Sequence, residues 1–196
     1  MYNEYASLRW FTLDPAARVP AAKVTPPPRV TLDSPALSVM TDFSQVPAAA
    51  VERDASIEAA NDFMRRRGVR ALLVVDGDLG VIGIVTATDV LGEKPVKLAL
   101  ERRVERNEVQ VADIMTPRDL IELLSYSDIR QARVGHVVAT LKQAGRQHFL
   151  VGEHLAGAVR VRGIFSLSQI ARQLGVDLQP ANFAHTFAEI EAALGH

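Results

Sequence analysis

A hydroxyl and a carboxylate that could bind a ligand stand three residues apart in the segment 83–89, GIVTATD. Thr86 lies where an apolar stretch gives way to a predicted helix, and Asp89 lies one turn into that helix. The free N–H groups and the dipole at a helix N-terminus favour an anion, and the Thr86 hydroxyl can bind it with them. An ionised carboxylate can accept hydrogen bonds from both hydroxyls of a ribose diol. Gly83 has no side chain to keep a phosphate away from the backbone.

The same spacing also describes a capping box, in which a hydroxyl and an acid three residues later bind each other's backbone N–H groups and need no ligand. Both interpretations fit Thr86 and Asp89. A second occurrence, at 163–169, keeps the glycine and has a hydroxyl at Ser166, but Gln169 replaces the aspartate. Ser-x-x-Gln is a good capping box, and a neutral amide binds ribose more weakly than a carboxylate does. The sequence therefore predicts a second site that is empty, weaker or altered in specificity.

These segments belong to a longer internal repeat. Residues 55–76 align without a gap with residues 132–153, and each segment predicts an amphipathic helix that ends at a glycine and is followed by an apolar strand. Upstream, Val-Met-Thr at 39–41 matches Ile-Met-Thr at 114–116. Each unit is predicted as short helix, strand, helix, strand, strand and helix. One such unit buries too little surface to stand alone, so two units should pack face to face.

The pattern predicts five parts along the chain. They are an N-terminal proline-rich arm (1–33), a first unit (34–93), a charged linker helix (94–108), a second unit (109–175) and a C-terminal helix (176–196). Five prolines between positions 15 and 28 favour extended chain in the arm. A short strand is predicted at 5–13, and the last helix is predicted at about 183–194.

The doubled unit resembles the cystathionine-β-synthase (CBS) domain in tandem, known as a CBS pair or Bateman module. The resemblance rests on the Met-Thr after each short helix, on GVRALLVVD at 68–76 and on GIVTATD at 83–89, and it covers about 34–175. It implies an α/β fold of two β-α-β-β-α units, packed as a pseudo-twofold pair with two clefts between their sheets. The ribose-phosphate signature of the family, Gly-apolar-x-Thr/Ser-x-x-Asp, is matched in full by Gly83, Ile84, Thr86 and Asp89.

The resemblance also implies that each cleft is shared between the two copies and that the typical ligand is an adenosine derivative. The residues it indicates for the first site are Gly83, Thr86, Asp89, Gln147 and His148, with Ile121 and Leu123 flanking adenine. The residues it indicates for the second, weaker site are Ser166, Gln169, Arg70, Ala71, Val46 and Ala48. His148 could face a phosphate or be an ordinary half-exposed histidine, and Arg70 could bind phosphate or face solvent.

Composition argues against several other classes of function. Without cysteine there is no disulfide, thiolate metal site or cysteine nucleophile. Lys and Arg total 22 against 23 Asp and Glu, so the chain has no net positive charge that would attract DNA or an anionic membrane. No run approaches the ~20 apolar residues that cross a bilayer, and no signal-peptide core begins the chain. The five histidines lack metal-ligand spacing, and no nucleophile–base set is evident. We expect a cytoplasmic protein with no catalytic residues, catalytic cofactor or metal.

The sequence thus predicts a regulatory module that is not an enzyme. AMP, ADP or ATP would shift the equilibrium between two arrangements of the units, and a partner protein would read the result. A homodimer is expected by analogy with the family. The cations Arg65, Arg66 and Arg67 are interpreted as stabilising a helix C-terminus and forming a solvated face. Two alternatives are a structural dimerisation module with empty clefts and a nucleic-acid binder, which the balanced charge disfavours.

Overall fold

The computed structural model describes residues 30–78 and 80–176 and the isolated positions 9, 12, 188, 190 and 192. Most of the predicted arm, including its strand at 5–13, lies outside the described residues, as does most of the helix predicted at 183–194. The helices in the described ranges are α1 (Ile57–Arg67), α2 (Ala87–Leu91), α3 (Glu93–Arg102), α4 (Val111–Ile114), α5 (Tyr126–Ile129), α6 (Val134–Gln143) and α7 (Leu167–Leu174). The strands are β1 (Thr41–Asp42), β2 (Ala50–Glu52), β3 (Ala71–Val75), β4 (Val81–Thr86), β5 (Thr116–Pro117), β6 (Leu123–Ser125), β7 (His148–Leu155) and β8 (Ala158–Ser166). Short 3-10 turns lie at Ala36–Val39, Arg106–Glu108 and Arg118–Leu120.

Local signals in the sequence set the limits of α1. The Ser56 hydroxyl accepts a hydrogen bond from the Ala59 N–H at 3.1 Å and so caps the first turn. Gly68, with φ 65°, ends the helix in the left-handed conformation that glycine adopts at little cost. Ile57 and Met64 are buried against the sheet, as the apolar spacing predicts.

The segment between the repeats differs from the single predicted helix at 94–108. Helix α3 ends at Arg102, because Arg103 takes the left-handed conformation with φ 56°. A 3-10 turn follows, and the Glu105 N–H donates to Oε1 of Glu108 at 2.8 Å. The charged stretch is therefore a helix and a separate capped turn.

Two four-stranded sheets form, with the strand orders β1-β8-β7-β6 and β2-β3-β4-β5. Each sheet takes three strands from one repeat and one short strand from the other. Thr41 in β1 pairs with Ile164 in β8, and Thr116 in β5 pairs with Ile84 in β4, both in antiparallel register. Each repeat provides β-α-β-β-α in order, which confirms the predicted α/β fold, and the exchanged strands bind the two repeats together.

The sheets are buried on both faces, which explains the nearly continuous apolar run of β3. Successive side chains of a strand point to opposite faces. Leu72 and Val74 pack against the helices of the first repeat, whereas Leu73 and Val75 pack against Leu150 in the layer between the sheets. A separate cluster fills the space between the other sheet and its helices, and buried Ile190 belongs to it.

The glycines of the two signature segments make room for the exchanged strands. A Cβ at Gly83 would lie 2.6 Å from Sδ of Met115 and 2.9 Å from the carbonyl oxygen of Thr116. A Cβ at Gly163 would lie 2.5 Å from the carbonyl oxygen of Thr41. The sequence analysis expected Gly83 to let a phosphate approach the backbone. In the structure the Met-Thr segment of the other repeat occupies that side of the glycine.

Candidate functional site: two clefts between the sheets

Two clefts lie between the repeats, one beside each signature segment. The Asp89 cleft has a volume of about 350 Å³ and is lined by residues that include Thr86, Asp89, Thr116, Leu120, Ile121, Glu122, Arg146, Gln147 and His148. The Gln169 cleft has a volume of about 430 Å³ and is lined by residues that include Thr41, Phe43, Val46, Arg66, Arg67, Arg70, Ala71, Ile164, Ser166, Gln169 and Arg172. Ile84 and His148 line both clefts, so the two are direct neighbours. Both volumes fall in the range of small-molecule sites.

The Asp89 cleft brings together residues of both repeats. Thr86, Asp89, Ile121, Gln147 and His148, all indicated by the sequence, line it. Gly83 and Leu123 are not among its lining residues. Gly83 is covered by the exchanged strand. Leu123 packs over Gly152 on β7 instead, where a Cβ at Gly152 would lie 2.9 Å from Cδ1 of Leu123. Leu120, which the sequence analysis did not single out, lines the cleft instead and is 65% exposed.

The Gln169 cleft likewise draws on both repeats. Val46, Arg70, Ala71, Ser166 and Gln169 line it, as the family resemblance implies. Ala48 is not in the lining. It packs in the apolar layer between the two sheets.

Thr86 and Asp89 form the capping box that their spacing allows. Oδ2 of Asp89 accepts hydrogen bonds from the Thr86 N–H at 2.8 Å and from the Thr86 hydroxyl at 2.6 Å. The Asp89 N–H in turn lies 3.3 Å from Oγ1 of Thr86. Oδ1 of Asp89 accepts no hydrogen bond from any other residue in the described ranges. One carboxylate oxygen therefore caps α2, and the other is available to a ligand in the adjoining cleft.

The corresponding capping box at Ser166 and Gln169, expected from the sequence, is absent. Ser166 makes no side-chain hydrogen bond to the helix α7 backbone, and its hydroxyl lies 3.0 Å from that of Ser168. The Thr41 hydroxyl donates to Oε1 of Gln169 at 3.1 Å. The expectation was wrong because the exchanged strand β1 supplies a closer partner for the amide than the helix terminus does.

Charges of both signs meet in the Asp89 cleft. Arg146 forms an ion pair with Glu122 at 2.7 Å and stacks over the Phe149 ring, with its guanidinium carbon 5.1 Å from the ring centre. Burial and the positive charge of Arg70 lower the pKa of His148 to about 4, although the negative charge of Asp89 opposes the shift. At neutral pH the imidazole is therefore uncharged and can both donate and accept a hydrogen bond.

The Gln169 cleft is strongly cationic. Arg66, Arg67, Arg70 and Arg172 line it, and no aspartate or glutamate does. The sequence analysis placed Arg66 and Arg67 on a solvated helix end and did not consider Arg172. One signal could have identified Arg172, because it follows Gln169 by three residues and so lies on the same face of α7.

Comparison with known proteins supports the resemblance seen in the sequence. Residues 36–95 match the sequence model of the CBS domain family. An uncharacterized conserved protein from Pyrococcus horikoshii has a similar structure, with a TM-score of 0.53 and 20% identity over 78% of this chain and 100% of that chain. The CBS-pair protein CBSX2 from Arabidopsis thaliana, solved in complex with AMP, has a TM-score of 0.50 and 18% identity over 71% of this chain and 94% of that chain. No curated protein matches the chain.

Residues 36–95 in the first repeat thus match the CBS domain family, and the two repeats together have the fold of a CBS pair, as predicted. Across residues 30–78 and 80–176, no helix combines the length and apolar character needed to cross a membrane. In the same ranges, no three side chains among His, Asp and Glu are grouped so that they could hold a metal ion.

Proposed function

We propose that this protein is a regulatory module that binds an adenosine nucleotide in the Asp89 cleft and has no catalytic activity of its own. One observation carries the proposal. Oδ2 of Asp89 is held by two hydrogen bonds from Thr86, at 2.8 and 2.6 Å, so the carboxylate is fixed beside a cleft with its other oxygen unpaired among the described residues. A fixed acceptor pays little ordering cost when a ribose diol binds to it.

The rest of the cleft suits the other parts of an adenosine nucleotide. Ile84, Leu120 and Ile121 provide apolar surface for a purine ring. The uncharged His148, and the N–H groups of Arg146 that do not bind Glu122, provide hydrogen-bond donors for one phosphate. The complex of CBSX2 with AMP makes an adenine nucleotide the first ligand class to test, with AMP, ADP and ATP as candidates.

A ligand in this cleft would act on the relative position of the two repeats. Thr86 and Asp89 belong to the first repeat, whereas Ile121 and His148 belong to the second, so the ligand would contact both. The resulting shift can be no larger than the difference in ligand affinity between the two arrangements. We propose that a partner protein in the cytoplasm reads this shift and that the protein acts as a homodimer.

A thermal shift experiment tests the proposal directly. AMP, ADP, ATP, NAD and S-adenosylmethionine would be compared with GMP as the matched control. A ligand at 100 times its dissociation constant should add about 2.7 kcal/mol, and each kcal/mol raises Tm by roughly 2–4 °C for a chain of this size. Shifts with an adenine compound and none with GMP are expected. No shift with any adenine compound would overturn the proposal.

One observation favours the alternative of a purely structural dimerisation module. Leu91 on α2 and Leu100 on α3 are 64% and 74% exposed, and Val96 between them is 49% exposed. Such a surface is typical of a subunit interface. Sedimentation of wild type and Leu100→Glu, with and without AMP, separates the alternatives. A dimer that Leu100→Glu disrupts, and that binds no adenine compound, would favour the structural module.

A further inference from the structure

The four arginines of the Gln169 cleft come from two helices and one loop position, and from both repeats. Arg66 and Arg67 end α1, and Arg70 precedes β3. Arg172 belongs to α7, in the second repeat. Cations from both repeats that line one cleft without a carboxylate create a positive potential inside it.

This charge is not balanced by the protein within the described ranges. None of the four arginines forms an ion pair or a hydrogen bond with a described carboxylate, and Arg67 instead stacks over Phe63, with its guanidinium carbon 5.9 Å from the ring centre. Other arginines in those ranges are of both kinds. Arg53, Arg103, Arg118 and Arg130 are exposed and form no ion pair with a described carboxylate, but they do not line this cleft. Four others are paired. Arg65 pairs with Asp62, Arg102 with Asp113, Arg106 with Glu58 and Arg160 with Glu153.

We infer that the Gln169 cleft binds the phosphate chain of a nucleoside di- or triphosphate, whereas the Asp89 cleft takes adenosine compounds with fewer phosphates. The inference rests on the proposed function and assigns a ligand class to each cleft. Guanidinium groups bind phosphate oxygens in pairs of parallel hydrogen bonds, and four of them offer enough donors to hold more than one phosphate group.

The remaining lining of the Gln169 cleft fits the same ligand. Phe43, Val46 and Pro47, on the segment after β1, provide apolar surface for a base. Gln169 stands where the first repeat has Asp89, so no carboxylate repels the phosphates. The Gln169 amide oxygen is already occupied by the Thr41 hydroxyl at 3.1 Å, which leaves its N–H donors for the ligand.

The Asp89 cleft offers the opposite environment. Asp89 and Glu122 line it, and its one lining arginine, Arg146, is already paired with Glu122 at 2.7 Å. A triphosphate there would meet two carboxylates and no unpaired arginine. The sequence analysis expected the second cleft to be the weaker one, and for a polyphosphate ligand the distribution of charge reverses that order.

The test is calorimetric titration of the full chain with AMP, ADP, ATP and inorganic tripolyphosphate at two salt concentrations. The variant is Arg70→Gln combined with Arg172→Gln, which removes one cation from each repeat. The matched control is Arg65→Gln, on the same helix end but paired with Asp62 and absent from the lining. Exposed ion pairs are individually weak, about threefold in affinity each, so the double variant should bind ATP about tenfold more weakly. AMP binding should be unchanged, and only the ATP affinity should fall steeply with salt.

The outcomes separate this inference from the proposed function. AMP binding that Asp89→Asn weakens strongly, together with ATP affinity that the double variant leaves unchanged, would overturn the inference and keep the function. Tripolyphosphate that binds as tightly as ATP would also overturn it, because the cleft would then recognise an anion without a nucleoside. No heat with any adenine compound would overturn both. Because Arg70 and Arg172 are exposed, an unchanged unfolding temperature of the free double variant is expected, and a large drop would contradict the surface role assigned to them.

Discussion

Asp89→Asn should weaken AMP binding strongly while leaving the protein as stable as wild type. The asparagine carbonyl can replace Oδ2 as acceptor for the Thr86 N–H, which donates at 2.8 Å in the wild type. The amide N–H₂ then replaces Oδ1, the oxygen that has no described partner. The substitution therefore changes the group offered to the ligand and keeps the cap of α2. Asp89→Ala removes both the cap of α2 and the group offered to the ligand.

The two variants differ by amounts that the structure allows us to work out. Losing hydrogen bonds to a charged acceptor costs about 1.5–3 kcal/mol, which is roughly 10- to 100-fold in affinity. Losing a helix cap costs about 1 kcal/mol, which lowers Tm by roughly 2–4 °C. We expect the alanine variant to show both losses and the asparagine variant only the first.

Thermal denaturation with and without AMP measures both quantities in one experiment. Gln169→Ala serves as the control in the other cleft and should leave the AMP-induced shift intact. Normal AMP binding by Asp89→Asn would refute the reasoning, because the carboxylate would then serve only to cap the helix. Equal loss of AMP binding in Asp89→Asn and Gln169→Ala would refute the assignment of AMP to one cleft.

Gly83→Ala should destabilise the protein by about 1–3 kcal/mol in chemical denaturation, because its methyl group would overlap the exchanged strand β5. Asp42→Asn should weaken the attachment of β1 to β8 by about 2 kcal/mol at neutral pH. Arg162 donates to both carboxylate oxygens of Asp42, at 2.9 and 2.8 Å, and these hydrogen bonds hold the pKa of that carboxyl well below its usual value. The pair is therefore fully stabilising above the unfolded-state pKa of about 4 and loses its contribution as pH falls below it, so the difference between variant and wild type in urea should shrink in acid. His148→Gln should reduce the loss of folding stability that accompanies mild acidification. Burial lowers the pKa of His148 to about 4, so its contribution to stability is present above the unfolded-state value of 6.5 and is lost as pH falls from there towards 4. The variant should lose less stability than wild type between pH 7 and pH 5.

Each of these predictions has a matched control. Gly77→Ala introduces a methyl group with no atom within 4 Å and should be neutral, so equal losses at Gly77 and Gly83 would contradict the crossing-strand explanation. If Asp42→Asn lowers the free energy of unfolding equally in acid and at neutral pH, the ion pair with Arg162 is not the cause of the loss. For His148, an identical loss of stability in wild type and variant on acidification would rule out titration of the imidazole.

Local patterns in the sequence predicted the repeated unit and much of its secondary structure. The apolar spacing of Ile57 and Met64 and the glycine at 68 each act within a few residues of chain, so α1 could be predicted without the fold. The Thr86–Asp89 pair was also evident, because a capping box and a ribose site use the same three-residue spacing. What the spacing left open was whether the carboxylate keeps an oxygen free beside a cleft.

The sequence by itself therefore determined the type of each unit, the presence of two of them and the identity of the signature residues. Only the tertiary structure decided which distant side chains meet. It covered Gly83 with the exchanged strand, gave the Gln169 amide to Thr41, and gathered Arg66, Arg70 and Arg172 from two repeats into one cleft. Charge accumulates at that cleft because the relative placement of the two repeats brings these cations together, and no local spacing rule carries information about contacts a hundred residues apart.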